Sequence, residues 1–162
     1  MQIKNAEPKI TRLLVNRRTI LGVLAIFLIG LDRYAKVWAW QVGQNQSQSL
    51  MPWLRLSYWQ NSGLALSLPL GGLWPIILSA VGLVILIIIL INRVRQKSFN
   101  QAVNLGQVIL GAFSNLWDRI NYGGVIDYLD FGRLTIFNLA DLLIVIGVVG
   151  LALSLIKRSV SL

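Results

Sequence analysis

The chain has 162 residues, of which 56% are hydrophobic and 13% are charged, about half of the roughly 25% usual in soluble domains. It contains no histidine and no cysteine, which excludes disulfides, thiol catalysis, serine–histidine triads and histidine-based zinc or haem sites. The formal net charge of +9 comes mainly from basic residues at the ends of apolar stretches. We interpret this charge as membrane topology and attraction to anionic lipid, and we expect no nucleic-acid partner.

Four apolar stretches predict an all-α membrane protein, a single domain over residues 1–162 with four transmembrane helices. A basic tail, residues 1–18, precedes them, and no small-residue cleavage motif follows the first stretch, so we expect an uncleaved first helix. The third stretch is rich in small residues and is expected inside the bundle. The helices are predicted at residues 19–40, 72–91, 99–120 and 134–156.

Two segments connect these helices on one side of the membrane. Residues 41–71 contain WLRLSYW, whose loose alternation before a turn-prone Asn-Ser-Gly predicts a short strand or hairpin at the membrane surface. Residues 121–133 are predicted to be a second extracytoplasmic segment. The fold class therefore includes a small extracytoplasmic β-containing segment between helices 1 and 2.

The distribution of basic residues predicts the orientation. Ten Lys and Arg residues lie before helix 1, between helices 2 and 3 and after helix 4, whereas the two connecting segments carry only Arg55 and Arg133. The positive-inside rule then places both termini in the cytoplasm of a multi-pass membrane protein. The connecting segments would lie outside.

Four of the six acidic residues lie within residues 115–141. Asp141 is expected about two turns into helix 4, with Asn138 one turn earlier, and Asp127 is expected on a loop before that helix. If Asp127 folds over the mouth of helix 4, the two carboxylates would share a proton and could act as acid and base on a peptide bond. The alternative is that Asp127 and Asp130 are solvated loop acids while Asp141 pairs with an arginine.

Other polar residues have both structural and functional interpretations. Asn115, Asp118 and Arg119 share one helix face, either as a cluster in which Asp118 pairs with Arg119 or as groups that hold substrate. Asp32 and Lys36 are spaced as an i,i+4 ion pair. From the residues alone, Asn61-Ser62-Gly63 is a turn.

With these residues assembled, the chain resembles lipoprotein signal peptidase (signal peptidase II), a family of four-helix inner-membrane aspartic peptidases. The resemblance covers essentially the whole chain after the tail. Five motifs carry it, in family order: DRYAK (residues 32–36), NSGLALS (61–67), GAFSNLWDR (111–119), GGVIDYLDF (123–131) and FNLAD (137–141). The chain departs from the family pattern at Ala35, Leu66, Phe113, Ser114 and Tyr128.

The resemblance implies that Asp127 and Asp141 form a catalytic dyad that activates water, with no cofactor and no metal. The substrate would be a prolipoprotein with a diacylglyceryl-modified cysteine, cut before that cysteine by a monomer in the bacterial plasma (inner) membrane, near its outer surface. The residues implied to shape the site or hold the substrate are Asn61, Gly63, Gly111, Asn115, Arg119 and Asn138, with Asp32 and Lys36 in support.

Other functions remain open from the residues alone. Asp and Asn oxygens also suit Mg²⁺. Lys36 could serve as the base of a Ser–Lys peptidase, with Ser57, Ser62 or Ser114 as the nucleophile. From other classes, the chain could be a small transporter or proton-pathway subunit that uses intramembrane Asp and Arg, or an assembly factor whose polar residues join helices.

Overall fold

The fold is taken from a computed structural model and is described for residues 17–43, 47–63, 72–132 and 135–160. In this part of the chain there are four α-helices and four β-strands. The helices are α1 (Arg17–Val42), α2 (Trp74–Arg95), α3 (Phe99–Tyr122) and α4 (Leu139–Val160). The strands are β1 (Gln48–Met51), β2 (Leu54–Asn61), β3 (Val125–Asp130) and β4 (Ile136–Phe137), and they form one antiparallel sheet in the order β1-β2-β3-β4.

The predicted combination of a helical protein with a small β-containing segment between helices 1 and 2 is confirmed. Helix α2 and residues Leu139–Ile156 of α4 are long and apolar enough to cross a membrane. Helices α1 and α3 carry charged residues, yet they also expose large apolar side chains, which suit contact with lipid. These include Val23, Ile26 and Phe27 on α1 and Phe113, Trp117 and Ile120 on α3. Four transmembrane helices remain a prediction.

Helix α3 lies inside the bundle, in contact with the other three helices. Glycines allow α3 and α4 to approach closely, as small residues do between membrane helices. A Cβ atom on Gly111 would collide with the carbonyl oxygen of Ala140, and one on Gly147 would lie 2.6 Å from the carbonyl oxygen of Asn104. The backbone of α4 is therefore held directly against α3.

The sheet corrects two expectations about residues 121–138. Asp127 was expected on a loop, but it lies in β3, where it pairs with Trp59 of β2. Helix 4 was expected from residue 134, but Ile136 and Phe137 form β4 and pair with β3, so that α4 begins at Leu139. Asp141 consequently lies in the first turn of α4 rather than two turns into it.

The sheet packs at the end of the bundle where α1 and α3 end and α4 begins. Ile126 and Tyr128 of β3 form a buried cluster with Ala39 of α1. Trp40 of α1 packs against Tyr122 at the end of α3, with ring centroids 4.8 Å apart. The strand that carries Asp127 is thus fixed between β2 and two helices.

Side chains cap the first three backbone amides of α4, which have no partner within the helix itself. The Leu139 amide donates to the Tyr128 hydroxyl at 3.2 Å, and the Ala140 amide donates to Asp32 Oδ1 at 3.2 Å. The Asp141 amide donates to Asn138 Oδ1 at 2.9 Å. The position of Asp141 is therefore set by contacts from α1 and β3 as well as by its own helix.

The Tyr128 hydroxyl has a dual role at this helix start that can be tested by Tyr128→Phe. The hydroxyl also donates to Asp32 Oδ1 at 3.2 Å, so its removal leaves a part-buried amide and a buried carboxylate each short of one hydrogen bond. We expect the variant to lose about 1–3 kcal/mol of stability and several degrees in thermal unfolding of the purified protein.

Tyr34→Phe is the matched control, because Tyr34 is 74% exposed on α1. Its unfolding temperature should equal that of the wild type. An equal effect of the two substitutions would contradict the capping role of Tyr128.

Candidate active site

One asparagine joins the carboxylate of Asp127 to the backbone of Asp141, the two aspartates that the sequence singled out. Asn138 Nδ2 donates to Asp127 Oδ1 at 2.6 Å, while Asn138 Oδ1 accepts the Asp141 amide at 2.9 Å. The asparagine is fully buried between β4 and α4, so its amide plane cannot turn freely. The end of the sheet and the start of α4 thereby bring Asp127 and Asp141 to one place.

A buried ion cluster, which we define as Asp32, Arg33, Lys36 and Asp118, lies behind these carboxylates. Lys36 Nζ lies 3.2 Å from Asp32 Oδ2 and 2.8 Å from Asp118 Oδ2. Arg33 lies 2.6 Å from Asp118 Oδ1. The side chains of Asp32, Lys36 and Asp118 are at most 1% exposed, and the cluster has two positive and two negative charges. Such a buried arrangement is tolerated only because every charge has a partner.

Asn115 links the ion cluster to Asp141. Lys36 Nζ donates to Asn115 Oδ1 at 2.8 Å, and Asn115 Nδ2 donates to Asp141 Oδ1 at 2.7 Å. The ammonium group polarises the amide in the direction that strengthens its donation to the carboxylate. Asn115 therefore orients one oxygen of Asp141.

Arg119 lies on the other side of the site and holds the turn after β2. It donates to the carbonyl oxygen of Gly63 at 3.1 Å, and the Gly63 amide donates to Asn61 Oδ1 at 3.0 Å. Its guanidinium group interacts electrostatically with both Asp141 and Asp127. The turn of residues 61–63 is thus attached to the site, and the residues 64–67 of the same motif lie outside the described part of the chain.

The surroundings of Asp127 change its acidity. Burial, followed by the nearby charge of Asp141, raises the pKa of Asp127 to about 7. Hydrogen bonds from Asn138 and Asn61 act in the opposite direction because they stabilise the carboxylate. Near neutral pH, Asp127 can therefore either hold or release a proton.

The structure brings together all ten residues that the resemblance named. Asp127, Asp141, Asn138, Asn115 and Arg119 are connected as described above. Asp32 and Lys36 form the expected i,i+4 pair in the ion cluster. Gly111 lies beneath Ala140, where no side chain would fit. Asn61 and Gly63 form the turn attached to Arg119.

The structure bears on two of the alternatives, the pairing of Asp118 with Arg119 and the use of Ser114 as a nucleophile. Asp118 pairs with Lys36 and Arg33 rather than with Arg119. Lys36 does approach Ser114 Oγ at 3.4 Å, but its ammonium is held between two carboxylates and the serine hydroxyl donates to Asp32 at 2.7 Å. The proton of Ser114 is therefore directed at Asp32 rather than at Lys36.

Three residues in this region were not assigned a structural role from the sequence. Arg33 completes the ion cluster, and Ser114 and Tyr128 both donate hydrogen bonds to Asp32. The spacing of Arg33 three residues before Lys36 placed them on one helix face and could have suggested a shared partner. Ser114 and Tyr128 could have been noticed because each places a hydroxyl group at a position where the chain departs from the family pattern.

Comparisons with known proteins identify the family of the chain. A family model described as Signal peptidase (SPase) II matches residues 24–157. A lipoprotein signal peptidase of Syntrophomonas wolfei is 39% identical over 124 residues, which is 75% of this chain and 83% of that protein. One of Streptococcus pneumoniae is 30% identical over 153 residues, covering 91% of this chain and 99% of that protein.

Solved structures share the fold. Two structures, each described as a bacterial membrane enzyme, are similar to this chain with TM-scores of 0.74 and 0.70 at 23% and 24% sequence identity. The first similarity covers 86% of this chain and 89% of the other, and the second covers 85% and 93%. From the family match and the identity to these relatives, the chain belongs to the signal peptidase II family of membrane proteases.

Proposed function

We propose that the chain is an aspartic endopeptidase that removes signal peptides from diacylglyceryl-modified prolipoproteins, cutting before the lipidated cysteine. The observation that carries the proposal is the bridge from Asn138 to both Asp127 and Asp141. The relatives named lipoprotein signal peptidase support the substrate class.

The proposed chemistry needs one proton shared by two carboxyl groups. The ionised member removes a proton from water, and the resulting hydroxide adds to the carbonyl carbon of the scissile peptide bond. The protonated member then donates its proton to the leaving nitrogen as the C–N bond breaks. Each cycle consumes one water molecule and leaves the pair with one proton.

The remaining site residues have supporting roles in this proposal. Asn115 and Asn138 hold the carboxylates, and Arg119 with the turn at residues 61–63 borders the space where a substrate backbone would lie. The excess of basic residues in the sequence ranges 1–18, 92–98 and 157–158 supports an orientation with both termini in the cytoplasm. The site would then lie at the outer surface of the bacterial plasma membrane, in a protein that acts as a monomer.

The dyad can be tested with Asp127→Asn and Asp141→Asn, in liposomes that contain a diacylglyceryl-modified prolipoprotein. Asparagine keeps the size of the side chain but cannot transfer the proton, so we expect each variant to cleave about 10²–10⁴-fold more slowly than the wild type. The same prolipoprotein with an unmodified cysteine should remain uncut. Gel mobility and mass spectrometry of the product measure both results.

Asp130→Asn is the matched control, since Asp130 lies on the same strand and its carboxylate accepts the Gly132 amide at 2.7 Å. This variant should cleave at the wild-type rate. Normal cleavage by Asp127→Asn or Asp141→Asn would contradict the dyad, and an inactive wild type would contradict the substrate class.

The pH dependence of cleavage follows from the acidity of Asp127. Because its pKa is about 7, the side chain is protonated below that pH and ionised above it. As the pH rises through about 7, the pair loses its shared proton and the leaving nitrogen has no acid. We expect kcat/KM to fall along an alkaline limb with a midpoint near this value.

Asn61→Ala should move this alkaline limb to higher pH, because the Asn61 side chain stabilises the carboxylate form of Asp127. Asn121→Ala is the control, since the Asn121 side-chain amide donates to the Trp117 carbonyl oxygen at 2.8 Å in the same helix. An unshifted limb in Asn61→Ala, or an equal shift in both variants, would contradict this assignment.

A further inference from the structure

Trp59 lies beside Asp127 on the same face of the sheet. The two residues are direct partners in the antiparallel pairing of β2 with β3. Side chains at opposite positions of such a pair leave the same face, with Cβ atoms about 4.5–5.5 Å apart. Asn61 lies further along β2 on this face, and its side chain stabilises the Asp127 carboxylate. Trp59 is therefore next to one of the two carboxyl groups of the proposed dyad.

A β-bulge determines which face of β2 carries Trp59. Between Leu56 and Trp59, β2 has one residue more than the part of β3 that pairs with it. Without this extra residue, Trp59 would lie opposite Ile126, which belongs to the buried cluster against α1. Instead, Tyr58 packs against that cluster, and Trp59 takes the position opposite Asp127. Bulges are common beside active sites, where they reorient side chains in this way.

The ring of Trp59 presents both an apolar surface and a hydrogen-bond donor. The residue is 55% exposed, and within the described residues its ring stacks on no other aromatic ring and its indole N–H has no hydrogen-bond partner. Trp53, between β1 and β2, is 57% exposed, but its ring packs on Phe131 with centroids 5.6 Å apart. A tryptophan N–H usually finds a partner when the ring is covered. A ligand that covers Trp59 is therefore expected to supply an acceptor.

The lipid group of the proposed substrate contains such an acceptor close to the bond that is cut. In a diacylglyceryl-modified cysteine, the glycerol carbons are attached to the cysteine sulfur and carry two ester carbonyl groups. Because the acyl chains lie in the hydrocarbon, the esters lie at the membrane–water boundary, where tryptophan is enriched. In the proposed orientation, the sheet is at the end of the bundle that reaches this boundary. The esters and Trp59 thus lie at the same depth.

We propose that Trp59 is a specificity-determining residue that binds the diacylglyceryl group of the substrate, an inference that rests on the proposed function. The ring covers the glycerol carbons, and the indole N–H donates to one ester carbonyl oxygen. This contact holds the modified cysteine so that the preceding peptide bond lies at Asp127 and Asp141. Because the ester takes no part in the reaction, the contact is equally strong before and during bond cleavage. It therefore lowers KM and leaves kcat unchanged.

The test compares two prolipoprotein substrates in detergent micelles, one with the diacylglyceryl group and one with a dialkylglyceryl group. The second substrate has ether links in place of the esters and lacks both carbonyl oxygens. We expect the wild type to have a KM about five-fold higher for the ether substrate, which is the effect of one hydrogen bond, with the same kcat. Trp59→Phe keeps an aromatic ring but lacks the N–H group. It should cleave both substrates with the higher KM.

Trp53→Phe is the matched control, because it makes the same change to a similarly exposed tryptophan whose ring packs on Phe131 instead of facing Asp127. This variant should keep the wild-type difference in KM between the ester and ether substrates. Thermal unfolding checks that each variant is folded.

The possible failures of this inference and of the proposed function are distinguishable. Equal KM values of the wild type for the ester and ether substrates would overturn the role of Trp59 alone, because cleavage would still be observed. A KM difference that persists in Trp59→Phe would assign ester recognition to another group. A difference lost equally in Trp53→Phe would indicate general anchoring of the sheet to the lipid surface. A wild type that cleaves neither substrate would overturn the proposed function and this inference with it.

Discussion

The buried ammonium group of Lys36 is the interaction on which the rest of the site depends. It lies between the carboxylates of Asp32 and Asp118 and also donates to Asn115. Removing three charged side chains from water is expensive, and their mutual attraction offsets that loss only if the geometry is complete. Helices α1 and α3 are therefore fixed in rotation and in depth relative to each other by this one group.

Each hydrogen-bond or ion-pair partner of the Lys36 ammonium also contacts a different part of the site. Asp32 caps α4 through the Ala140 amide, and Asp118 accepts the Ile126 amide of β3 at 3.3 Å. Asn115 orients a carboxylate oxygen of Asp141. The elements that carry the proposed dyad, β3 and α4, are thus both attached to the same buried cluster. The proposed chemistry needs the carboxyl groups of Asp127 and Asp141 close together. The attachment of β3 and α4 to the ion cluster holds them there against their mutual repulsion.

The sequence predicted what local patterns encode, namely helical apolar stretches, a β-containing segment at residues 41–71 and the Asp32–Lys36 pair. It did not predict β3 and β4, because β3 is stabilised by pairing with β2, which lies more than sixty residues earlier in the chain, and β4 forms only by pairing with β3. The bonds from Ser114 and Tyr128 to Asp32 join residues 82 and 96 positions apart, beyond any local rule. The residues of the site came from a resemblance, and their catalytic roles remain predictions.

The most direct measurement is the cleavage rate of Lys36→Met combined with Asp118→Asn, which removes one positive and one negative charge and keeps the cluster neutral. The double variant is expected to unfold at a temperature closer to the wild type than Lys36→Met alone. Yet its kcat should be about 10²-fold lower, because small displacements of reacting groups have effects of this size. A folded double variant that cleaves at the wild-type rate would show that the ion cluster does not position the site.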